Sequence, residues 1–365
     1  MMYDVIIAGG GPAGASLARL LGKSRKVLVI ERRDMQRISG NDYKKCCGGL
    51  VAPDAQKLLA EFGLGIPVEV LDGPQLFAVR TIDHEHKLER YYQRHYININ
   101  RERFDRWLLS MVPTSVHIED RSIFKDYLQF GNRVQVTYLK DGEEKRATAK
   151  LLVGADGASS RVRRQLEPDR KGPKKYIAIQ EYFRQTGDQP YYGSIFDKDI
   201  TDFYSWTIPK EGVLVVGSAL DLDREPIEKF EELKGRLQKE GFDLGKSLGR
   251  NSAFLFRPRG TGQILTGKGK VVLIGEAAGW ISPSSAEGLS YGFKSALNLS
   301  LAIDENMDRA AVIYRRNSKS LYLNIKWKGI KSFLMYNDYT RYMIMRSGIL
   351  SMGSIKERLA ETGII

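Results

Sequence analysis

The first 31 residues contain the feature that most constrains how this chain folds. Residues 3–8 read YDVIIA, an apolar strand-like segment, and are followed by the turn Gly9-Gly10-Gly11-Pro12-Ala13-Gly14 and a helix-like segment. A second apolar segment, residues 26–30, ends at Glu31, 22 residues after Gly9. This order is typical of a βαβ unit with a G-x-G-x-x-G turn. It predicts a parallel sheet covered by helices.

The chemistry of a dinucleotide explains the spacing of these residues. Gly9 permits the tight turn, Gly11 lets the backbone approach a pyrophosphate, and Gly14 lets the helix pack closely against the strand. The N-terminus of that helix offers free N–H groups and a positive dipole end to the phosphates. Glu31, at the tip of the second strand, is placed to accept hydrogen bonds from ribose hydroxyls. The predicted dinucleotide site comprises Gly9, Gly11, Pro12, Ala13, Gly14 and Glu31.

Two arginines that follow Glu31 bear on which dinucleotide binds. Arg32 and Arg33 would suit the 2′-phosphate of NADP, but the carboxylate of Glu31 repels a phosphate at that position. We therefore do not expect NADP in this slot, and we count Arg32 among the cofactor-binding residues. The turn itself leaves NAD and FAD open.

Two further glycine turns occur later in the chain. Residues 151–160 read LLVGADGASS, an apolar strand that ends in a turn containing Asp156. Residues 271–292 contain another apolar strand, then Gly275-Glu276, and then Gly288-Leu289 at the start of a long helix-like segment. An ordinary turn is the alternative interpretation of the middle segment taken alone, because Asp and Gly both suit unusual backbone angles.

The order of the three motifs, over roughly the first 300 residues, resembles the flavoprotein monooxygenase superfamily, which includes p-hydroxybenzoate hydroxylase and the geranylgeranyl reductases. The resemblance implies that the cofactor is FAD. It places Asp156 near the pyrophosphate, and Gly275 and Glu276 at the ribityl chain. It also implies that the helix beginning at Gly288 and Leu289 points its positive end at the flavin ring, which favours the anionic reduced state. The family usually has aspartate where this chain has Glu276, so we expect a slightly different local geometry.

A basic segment near residue 100 carries a further resemblance. Residues 100–109 read NRERFDRWLL and resemble the superfamily's helix start Arg-x-x-Phe/Leu-Asp, whose arginine approaches FAD. Arg101 holds that place, which assigns it to the cofactor. An exposed arginine at the start of a helix is the alternative interpretation.

The two cysteines of the chain, Cys46 and Cys47, are adjacent and precede Gly48 and Gly49. Cys47-Gly48-Gly49 resembles the Cys-Gly-Gly loop that lies over the flavin in geranylgeranyl reductases, which assigns these residues to the catalytic site. A thiol there would donate a proton or shape the approach of the substrate. Two inert thiols filling a buried loop are the alternative interpretation. We expect no metal site, because adjacent thiols alone cannot provide tetrahedral coordination and the four histidines are scattered.

Residues 203–209, which read FYSWTIP, carry a second clue about the substrate. They resemble the Tyr-x-Trp-x-Phe-Pro box that lines the lipid pocket of archaeal geranylgeranyl reductases, and also the Trp-x-Trp-x-Ile-Pro box of flavin halogenases. This assigns Tyr204, Trp206, Ile208 and Pro209 to the substrate pocket, and the Cys-Gly-Gly loop favours the reductases. A half-buried strand with aromatic side chains in the core is the alternative interpretation.

The predicted fold class is α/β, with a Rossmann-type FAD-binding domain, an inserted antiparallel-sheet substrate domain and a helical C-terminus. At 365 residues the chain exceeds the usual size of one hydrophobic core. The segments YIAIQEYFR and GVLVVGSALDL read as strands of the second sheet. The predicted FAD-binding domain comprises residues 1–65, 101–165 and 262–310, the substrate domain residues 66–100 and 166–261, and the helical C-terminal segment residues 311–365.

The net charge of +13 is concentrated near the C-terminus. Residues 311–365 hold ten Lys or Arg and three Asp or Glu, interleaved with aromatic residues. Such a surface suits an anionic membrane, an acidic protein or a nucleic acid, and a solvated helical face is the alternative interpretation. No secretory leader is evident and no apolar run reaches the ~18 residues of a transmembrane helix. We therefore expect a cytoplasmic protein that at most associates peripherally with a membrane.

These observations predict an FAD-dependent oxidoreductase that reduces carbon–carbon double bonds of an isoprenoid or other apolar substrate. No second dinucleotide turn follows the first, so we expect electrons from transient NAD(P)H or from a reduced carrier such as ferredoxin, whose acidic surface would suit this basic chain. A flavin monooxygenase or halogenase of the same fold is the first alternative. A non-enzymatic flavoprotein that binds a membrane or nucleic acid through its C-terminus is the second, although we do not expect nucleic acid as a partner.

Overall fold

The computed structural model describes residues 2–35, 45–185 and 190–352, and within these residues the chain forms two β-sheets with helices packed around them. The strands are β1 Met2–Ala8, β2 Val27–Ile30, β3 Leu50–Val51, β4 Leu76–Asp83, β5 Leu88–Asn98, β6 His117–Glu119, β7 Ser122–Phe130, β8 Arg133–Lys140, β9 Glu143–Gly154, β10 Lys174–Arg184, β11 Tyr192–Phe196, β12 Ser205–Lys210, β13 Val213–Asp221, β14 Ser247–Arg257, β15 Gly267–Lys268 and β16 Val271–Leu273. The helices are α1 Pro12–Leu21, α2 Pro53–Glu61, α3 Arg101–Ser110, α4 Arg161–Leu166, α5 Pro226–Lys239, α6 Leu289–Glu305, α7 Ala310–Asn317, α8 Lys319–Tyr336 and α9 Asp338–Ser347.

Strand β1 lies in the middle of the first sheet, whose order is β15-β16-β9-β1-β2-β6. It pairs in parallel with β2 on one side and with β9 on the other, and β6 and β16 continue the parallel arrangement. Strands β7 and β8 extend the sheet antiparallel through β9. Helix α1 connects β1 to β2, so the βαβ unit predicted at the N-terminus is confirmed.

The central strand is apolar on both faces because both faces are covered. Val5 and Ile7 pack into the cluster that contains the buried sides of α1 and α6, whereas Ile6 and Ala8 pack into a second cluster on the opposite face. Successive side chains of a strand point to opposite faces, and a parallel sheet covered on both sides needs apolar residues at every position. This explains why the N-terminal segment shows a continuous apolar run.

The second sheet has the strand order β14-β10-β13-β12-β11-β4-β5-β3. Its pairs are antiparallel, as expected, except that β11 and β4 run parallel. Seven of its eight strands fall within residues 66–100 and 166–261. The exception is β3, Leu50–Val51, which directly follows the Cys-Gly-Gly segment and pairs with the end of β5. The exact domain boundaries remain a prediction.

The two faces of the second sheet have different coverings. One face packs against α5, where Ile179 and Val216 contact the helix residues Phe230 and Leu233 in a single apolar cluster. The other face carries a set of aromatic side chains that we call the aromatic cluster, with its buried members Tyr176, Tyr182, Phe196, Phe203, Tyr204 and Trp206. Cys46 packs against this second face, so the aromatic cluster faces the Cys-Gly-Gly segment of the chain.

The helices after α6 connect the two sheets. Leu321 and Ile325 of α8 lie in the core of the first sheet, and Met335 and Tyr336 at the end of the same helix pack against the aromatic cluster. The helical C-terminus is confirmed as far as Ser347, residues 348–352 form a turn and an isolated bridge, and the remaining predicted residues lie outside the described ones. In the described part of the chain, no helix combines the length and the apolar composition required to cross a bilayer.

Helix α9 is attached to the second sheet through a buried ion pair. Arg341 Nε donates to Asp83 Oδ2 at 2.8 Å, and Arg341 Nη2 also pairs with Glu85. The carboxylate of Asp83 is fully buried. Burial alone would raise the pKa of Asp83, but hydrogen bonds from Arg341 and His86 outweigh it, so the pKa is lowered. The carboxylate therefore stays charged and requires its cationic partner.

Replacing Arg341 by Ala is expected to lower the free energy of unfolding by about 3–5 kcal/mol, because it leaves a buried carboxylate without its guanidinium partner. Urea denaturation at neutral pH measures the change. Arg346→Ala is the matched control, since Arg346 lies on the same helix and is exposed. We expect the control to change stability by less than about 0.5 kcal/mol. Equal effects of the two substitutions would contradict the attachment described here.

Candidate cofactor and substrate site

The three glycine turns predicted from the sequence lie in direct contact. Gly9 has a φ of +106°, and a Cβ atom there would lie 2.5 Å from the carbonyl oxygen of Ala155 in the middle motif. Gly275 has a φ of +55°, and a Cβ atom there would lie 2.9 Å from the Cβ of Ala13. Only glycine combines these backbone angles with such close approach. The first turn therefore contacts both the middle motif and the late motif.

The start of α1 leaves open space where a ligand is expected. Gly11 precedes the helix, and apart from Gly11 itself and its two chain neighbours, none of the described residues has an atom within 4 Å of the position where its Cβ would be. Pro12 occupies the first helical turn, so the missing N–H of proline costs nothing there. Gly14, by contrast, is packed so closely that a Cβ would overlap the carbonyl oxygen of Gly9. The two glycines therefore serve different purposes, one for access and one for packing.

Glu31 is held at the tip of β2 by backbone and side-chain donors. Its Oε2 accepts a hydrogen bond from Gly10 N at 2.7 Å, and its Oε1 accepts one from Arg33 Nε at 2.9 Å. Burial alone would raise the pKa of Glu31, but the hydrogen bond and charge of Arg33 outweigh it, and the pKa is lowered. Arg32, which we predicted to bind the cofactor, is exposed, whereas Arg33 turns inward.

Three cations surround one buried carboxylate next to this turn, in a group that we call the Asp105 cluster. Arg33, Lys45 and Arg101 all pair with Asp105, which is fully buried. Burial would raise the pKa of Asp105, but the charges of Arg101, Lys45 and Arg33 hold it well below its usual range. Arg33 also donates to the carbonyl oxygen of Gly10, which joins the cluster to the glycine turn. Counting only these described side chains together with Glu31, three cations face two carboxylates, which leaves one positive charge in excess.

Asp156 presents an unused hydrogen-bonding atom. Its Oδ2 accepts hydrogen bonds from Arg161 N at 2.7 Å and Val162 N at 3.3 Å at the start of α4. Its Oδ1 is buried and has no partner among the described residues. Burial raises the pKa of this carboxyl group. A buried polar atom without a partner is costly, so a ligand hydroxyl at this position would stabilise it.

Glu276 of the late motif connects the first sheet to the second. Its Oε1 accepts a hydrogen bond from Phe256 N at 2.8 Å, in β14. Burial raises the pKa of Glu276 to about 7, and the Phe256 N–H and the charges of Lys45 and Arg101 offset part of this effect. The longer side chain, where the superfamily usually has aspartate, thus reaches a strand of the second sheet and also lies near the Asp105 cluster.

The long helix predicted after the late motif is confirmed as α6, which begins at Leu289 with Gly288 as the residue before it. Both carboxylate oxygens of Glu287 accept hydrogen bonds from Ser290, one from its backbone N at 2.8 Å and one from its hydroxyl at 2.6 Å. Burial raises the pKa of Glu287. The role of Gly288 and Leu289 towards a flavin ring stays a prediction.

These residues fit FAD on two counts. The excess positive charge of the Asp105 cluster lies beside the glycine turn, which suits a pyrophosphate. The unpartnered Asp156 Oδ1 suits a hydroxyl of the ribose or ribityl group. FAD would therefore be held by the first turn, by Arg101 and Asp156, and by the late motif at Gly275 and Glu276.

The two adjacent thiols point to opposite sides of their loop. Cys46 Sγ donates to Gln180 Oε1 at 3.3 Å and to Ala178 O at 3.4 Å, on the aromatic face of the second sheet. Cys47 Sγ instead accepts a hydrogen bond from Arg101 Nη1 at 2.9 Å. Burial and the neighbouring Cys47 raise the pKa of Cys46 to about 12, so this thiol stays protonated. Both cysteines are free thiols in the structure.

Gly48 and Gly49 hold the loop where no side chain fits. A Cβ at Gly48 would lie 2.5 Å from Ile208 Cδ1, and a Cβ at Gly49 would overlap the carbonyl oxygen of Ile99 and lie 2.8 Å from Lys210 Nζ. Gly49 also has a φ of +65°. The loop is thus clamped between β12 of the second sheet and the segment that leads into α3.

Lys210 lies beneath this loop and was not singled out by the sequence. Its ammonium group donates to Ile99 O at 2.9 Å and to Asn98 Oδ1. Burial lowers the pKa of Lys210 to about 8, with the neighbouring Asp72 and Cys47 offsetting part of the shift. A small cavity lies here, lined by Lys45, Cys47, Arg101, Tyr182, Lys210 and Val215 among other residues. The cavity joins the Asp105 cluster to the second sheet.

The predicted substrate box forms strand β12 and the residue before it. Tyr204, Trp206 and Ile208 lie in the same buried cluster that faces the cysteine loop, and Tyr204 Oη donates to Ser285 O at 2.8 Å. The carbonyl oxygen of Pro209 accepts a hydrogen bond from Asn98 Nδ2 at 2.8 Å. Their burial also fits the alternative of a strand with aromatic side chains in the core. Their role in a substrate pocket stays a prediction.

Two unpaired donors lie on this face of the sheet. Gln180 pairs in register with Gly217, and Gly217 pairs with Trp206 on its other side. The indole lies over Gly217, where a Cβ would overlap the ring. Gln180 Nε2 and Trp206 Nε1 are both buried and lack a partner in the described part of the chain. The sheet register therefore brings two free N–H groups to the same row, beside Cys46.

Sequence reasoning missed Asp105, Gln180 and Lys210, and it considered Arg33 only as a partner for a 2′-phosphate and Lys45 only as a neighbour of the thiols. Asp105 stands inside the recognised Arg-x-x-Phe-Asp segment, so that motif already contained a signal for it. The others have no local pattern that separates them from ordinary surface or strand residues.

One group of side chains outside this site has the composition of a metal site. Asp83, Glu85 and His86 are the one such group found in residues 2–35, 45–185 and 190–352. Arg341 already pairs with Asp83 and Glu85, which accounts for their negative charge. This arrangement is an ion-pair cluster that attaches α9.

Comparison with known proteins agrees with this geometry. A family model of the FAD binding domain matches residues 2–183. The chain is 39% identical over 355 residues to Protein CbrA of Escherichia coli O6:H1, which covers 97% of this chain and 96% of that protein. The family match shows FAD as the cofactor, since it spans the glycine turn, Arg101 and Asp156.

Solved structures share the whole fold at low sequence identity. A geranylgeranyl bacteriochlorophyll reductase-like protein from Thermoplasma acidophilum has a TM-score of 0.82 at 17% identity, over 98% of this chain and 95% of that chain. The flavin-dependent brominase Bmp2 has a TM-score of 0.71 at 19% identity, over 95% of this chain and 93% of that chain. These likenesses confirm the predicted α/β fold class.

Gly14→Ala and Gly11→Ala form a matched pair that separates packing from ligand access. Gly14→Ala is expected to lower the free energy of unfolding of the FAD-free protein by about 1–3 kcal/mol in urea, because the methyl group overlaps Gly9. Gly11→Ala has open space and should keep that stability, while its affinity for FAD, titrated by flavin fluorescence, falls at least about tenfold. Equal stabilities, or full FAD affinity in Gly11→Ala, would contradict the positions described.

Glu276 is expected to make the free energy of unfolding depend on pH, and the sign of this dependence follows from the pKa of Glu276. The carboxyl binds its proton more tightly in the folded state, with a pKa of about 7 against an ordinary 4.5, so it stabilises the fold at low pH and loses that effect as pH rises from 4.5 to 7. Glu276→Gln cannot titrate and keeps an acceptor for Phe256. Between pH 4.5 and 7, the free energy of unfolding of the FAD-free wild type should fall by about 3 kcal/mol relative to that of this variant, as measured by urea denaturation. A pH-independent difference would contradict the assignment.

Proposed function

The chain belongs to the CbrA protein family and has the fold of FAD-dependent oxidoreductases, and from this premise we propose that it reduces carbon–carbon double bonds of an isoprenoid or similar apolar substrate. One observation carries the proposal. Cys47 lies in a small cavity between the Asp105 cluster, where the cofactor is expected, and the second sheet with its aromatic cluster. This position supports the proposal, because the proposed reaction needs a proton donor between the flavin and the substrate.

The lining of the aromatic face suits an apolar chain that carries one polar group. The aromatic cluster and Ile208 offer apolar surface to a hydrocarbon. Among the described residues the N–H groups of Gln180 Nε2 and Trp206 Nε1 have no acceptor, and an oxygen atom of the substrate would satisfy them. We therefore favour an isoprenoid with an oxygen-containing end over a pure hydrocarbon.

Reduction of a double bond adds one hydride and one proton. Reduced FAD bound at the first site supplies the hydride. We assign the proton to Cys47, whose sulfur is positioned by the hydrogen bond from Arg101. Lys210 lines the same cavity and has a pKa lowered to about 8 by burial, which suits the return of a proton to the thiol from solvent. Cys46 stays protonated and bound to Gln180, so it holds the loop in place.

The electrons must come from outside the chain, because each cycle oxidises the reduced FAD, which must then be reduced again. We propose either transient NAD(P)H or a reduced carrier protein such as ferredoxin as their source. The net charge of +13 suits an acidic carrier.

A flavin monooxygenase or halogenase is the alternative function, and the likeness to the brominase Bmp2 favours keeping it. That chemistry consumes oxygen and adds an oxygen or halogen atom to the substrate. Double-bond reduction consumes no oxygen. Oxygen uptake coupled to substrate turnover therefore separates the two functions.

The proposed function is tested with the FAD-loaded protein, reduced by dithionite without oxygen and mixed with geranylgeraniol. We expect the flavin absorbance to return as the alcohol gains one H₂ per reduced bond, measured by mass spectrometry. Cys47→Ala should retain FAD and slow this step by about 10²-fold or more, because the proton donor is lost. Cys46→Ala, the matched control, should slow it far less.

One outcome would contradict this function, and another would contradict only the role assigned to Cys47. Reoxidation by oxygen alone, with a hydroxylated or halogenated product, would favour the alternative. Full activity of Cys47→Ala would remove the assigned proton donor while leaving the reductase chemistry in place.

A further inference from the structure

We propose that helix α8 docks the protein on an anionic lipid bilayer through a row of exposed apolar side chains, which we call the α8 stripe. The stripe comprises Leu323, Trp327, Ile330, Phe333 and Leu334. Spacings of three and four residues place side chains on one face of a helix. Trp327 and Phe333 are 70% and 66% exposed, and Leu323 and Ile330 are 56% and 55% exposed. A row of large apolar side chains at this exposure is unusual for a face that meets only water.

The stripe lies on a helix that is firmly packed on its other side. Leu321 and Ile325 are buried in the core of the first sheet. Ser332 Oγ donates to Pro283 O at 3.0 Å, and Tyr336 Oη donates to Ser284 O at 2.9 Å. The helix is therefore fixed along its length. Its second apolar face is left over after the core is complete.

The charged side chains that α7 and α8 themselves carry have one sign. Residues 310–337, which contain α7 and α8, include six Lys or Arg and no Asp or Glu. Lys319 and Lys326 lie in the same helix and, with Arg315 and Arg316, line an open groove beside the stripe. Of these four, within the described residues, Arg316 alone is paired, with Glu305. The unpaired cations are available to anionic groups outside the chain.

These features fit a bilayer surface better than a soluble partner. A helix that binds in the plane of a membrane interface combines aromatic and Leu side chains on one face with flanking Lys and Arg. Trp is favoured at the depth of the lipid headgroups because its ring is amphipathic. A second copy of this chain would bring the same positive charges together, which disfavours self-association through this face. Lipid phosphates would neutralise the groove while the stripe enters the acyl boundary.

Helix α9, which follows α8 in the chain, also carries exposed apolar side chains. They include Tyr339 and Met343, and Ile349 and Leu350 follow the C-cap residue Gly348. The ion pair of Arg341 with Asp83 fixes this helix to the second sheet. The exposed apolar side chains of this region are therefore presented by a rigid part of the molecule.

The position of α8 also relates docking to the substrate, and this relation alone rests on the proposed function. Met335 and Tyr336, at the end of the helix, pack against the aromatic cluster. The ring centroids of Tyr336 and Phe203 are 5.2 Å apart. One helix thus contacts both the proposed membrane surface and the proposed pocket. An isoprenoid dissolved in the leaflet would have a short path to the pocket.

The test uses the full-length, FAD-loaded protein and vesicles of phosphatidylcholine, with or without phosphatidylglycerol. We expect sedimentation with the phosphatidylglycerol vesicles, weakened by high salt, and little with pure phosphatidylcholine. Trp327 fluorescence should shift to shorter wavelength on binding, with Trp327→Phe as the blank. The double variant Trp327→Ser/Phe333→Ser should bind the phosphatidylglycerol vesicles at least about tenfold more weakly than the wild type. Leu128→Ser/Phe130→Ser, which changes two exposed side chains on β7, is the matched control and should bind like wild type.

Three outcomes would overturn the docking proposal. The first is that the protein does not bind phosphatidylglycerol vesicles. The second is that the stripe variant and the control variant bind these vesicles equally well. The third is that the same residues bind reduced ferredoxin while the vesicles stay unbound. Flavin absorbance and the free energy of unfolding of each variant show that it is folded. Vesicle binding is measured without isoprenoid, so a failure of the proposed reductase activity leaves this result unaffected.

Discussion

Close packing of glycine turns is the constraint on which the rest of the structure depends. Gly9 lies against the backbone of Ala155, and Gly275 lies against the Cβ of Ala13, so the turns after β1, β9 and β16 pack directly on one another. The carboxyl ends of neighbouring parallel strands always lie at the same edge of a sheet. This edge brings together residues that are more than a hundred positions apart in the sequence. Asp156 directly follows Ala155 and Glu276 directly follows Gly275, so these contacts place both carboxyl groups at this edge.

The Asp105 cluster joins this edge to the loop that carries the thiols. Buried charges are costly unless they are paired, and here one carboxylate is shared by three cations from three segments. Arg101 contacts both Asp105 and the sulfur of Cys47. The charge balance of the cofactor site and the position of the thiol are therefore set by the same side chain. A change in the charge balance of the cofactor site therefore affects the position of the thiol through Arg101, and the sheets need not move.

The parts that could be predicted from the sequence are those with a local physical signal. The βαβ unit, helix α6 and strands β10 and β13 follow from glycine turns and apolar runs, and the structure contains all of them. Which of two consecutive arginines turns inward has no local signal, and Arg33 rather than Arg32 does so because Asp105 lies on that side. The contact of Lys45 with Asp105 spans 60 residues. The burial of Lys210 and the parallel pairing of β11 with β4 likewise depend on long-range topology.

The absence of space around two glycines restricts how the surface beside this loop can change in evolution. Gly48 abuts Ile208, and Gly217 lies directly beneath the indole of Trp206, so neither glycine can acquire a methyl group without displacing its neighbour. A larger residue at position 48 therefore requires a change at position 208, and a larger residue at position 217 requires a change at position 206. Each glycine and the side chain against it are expected to vary as a pair among related proteins.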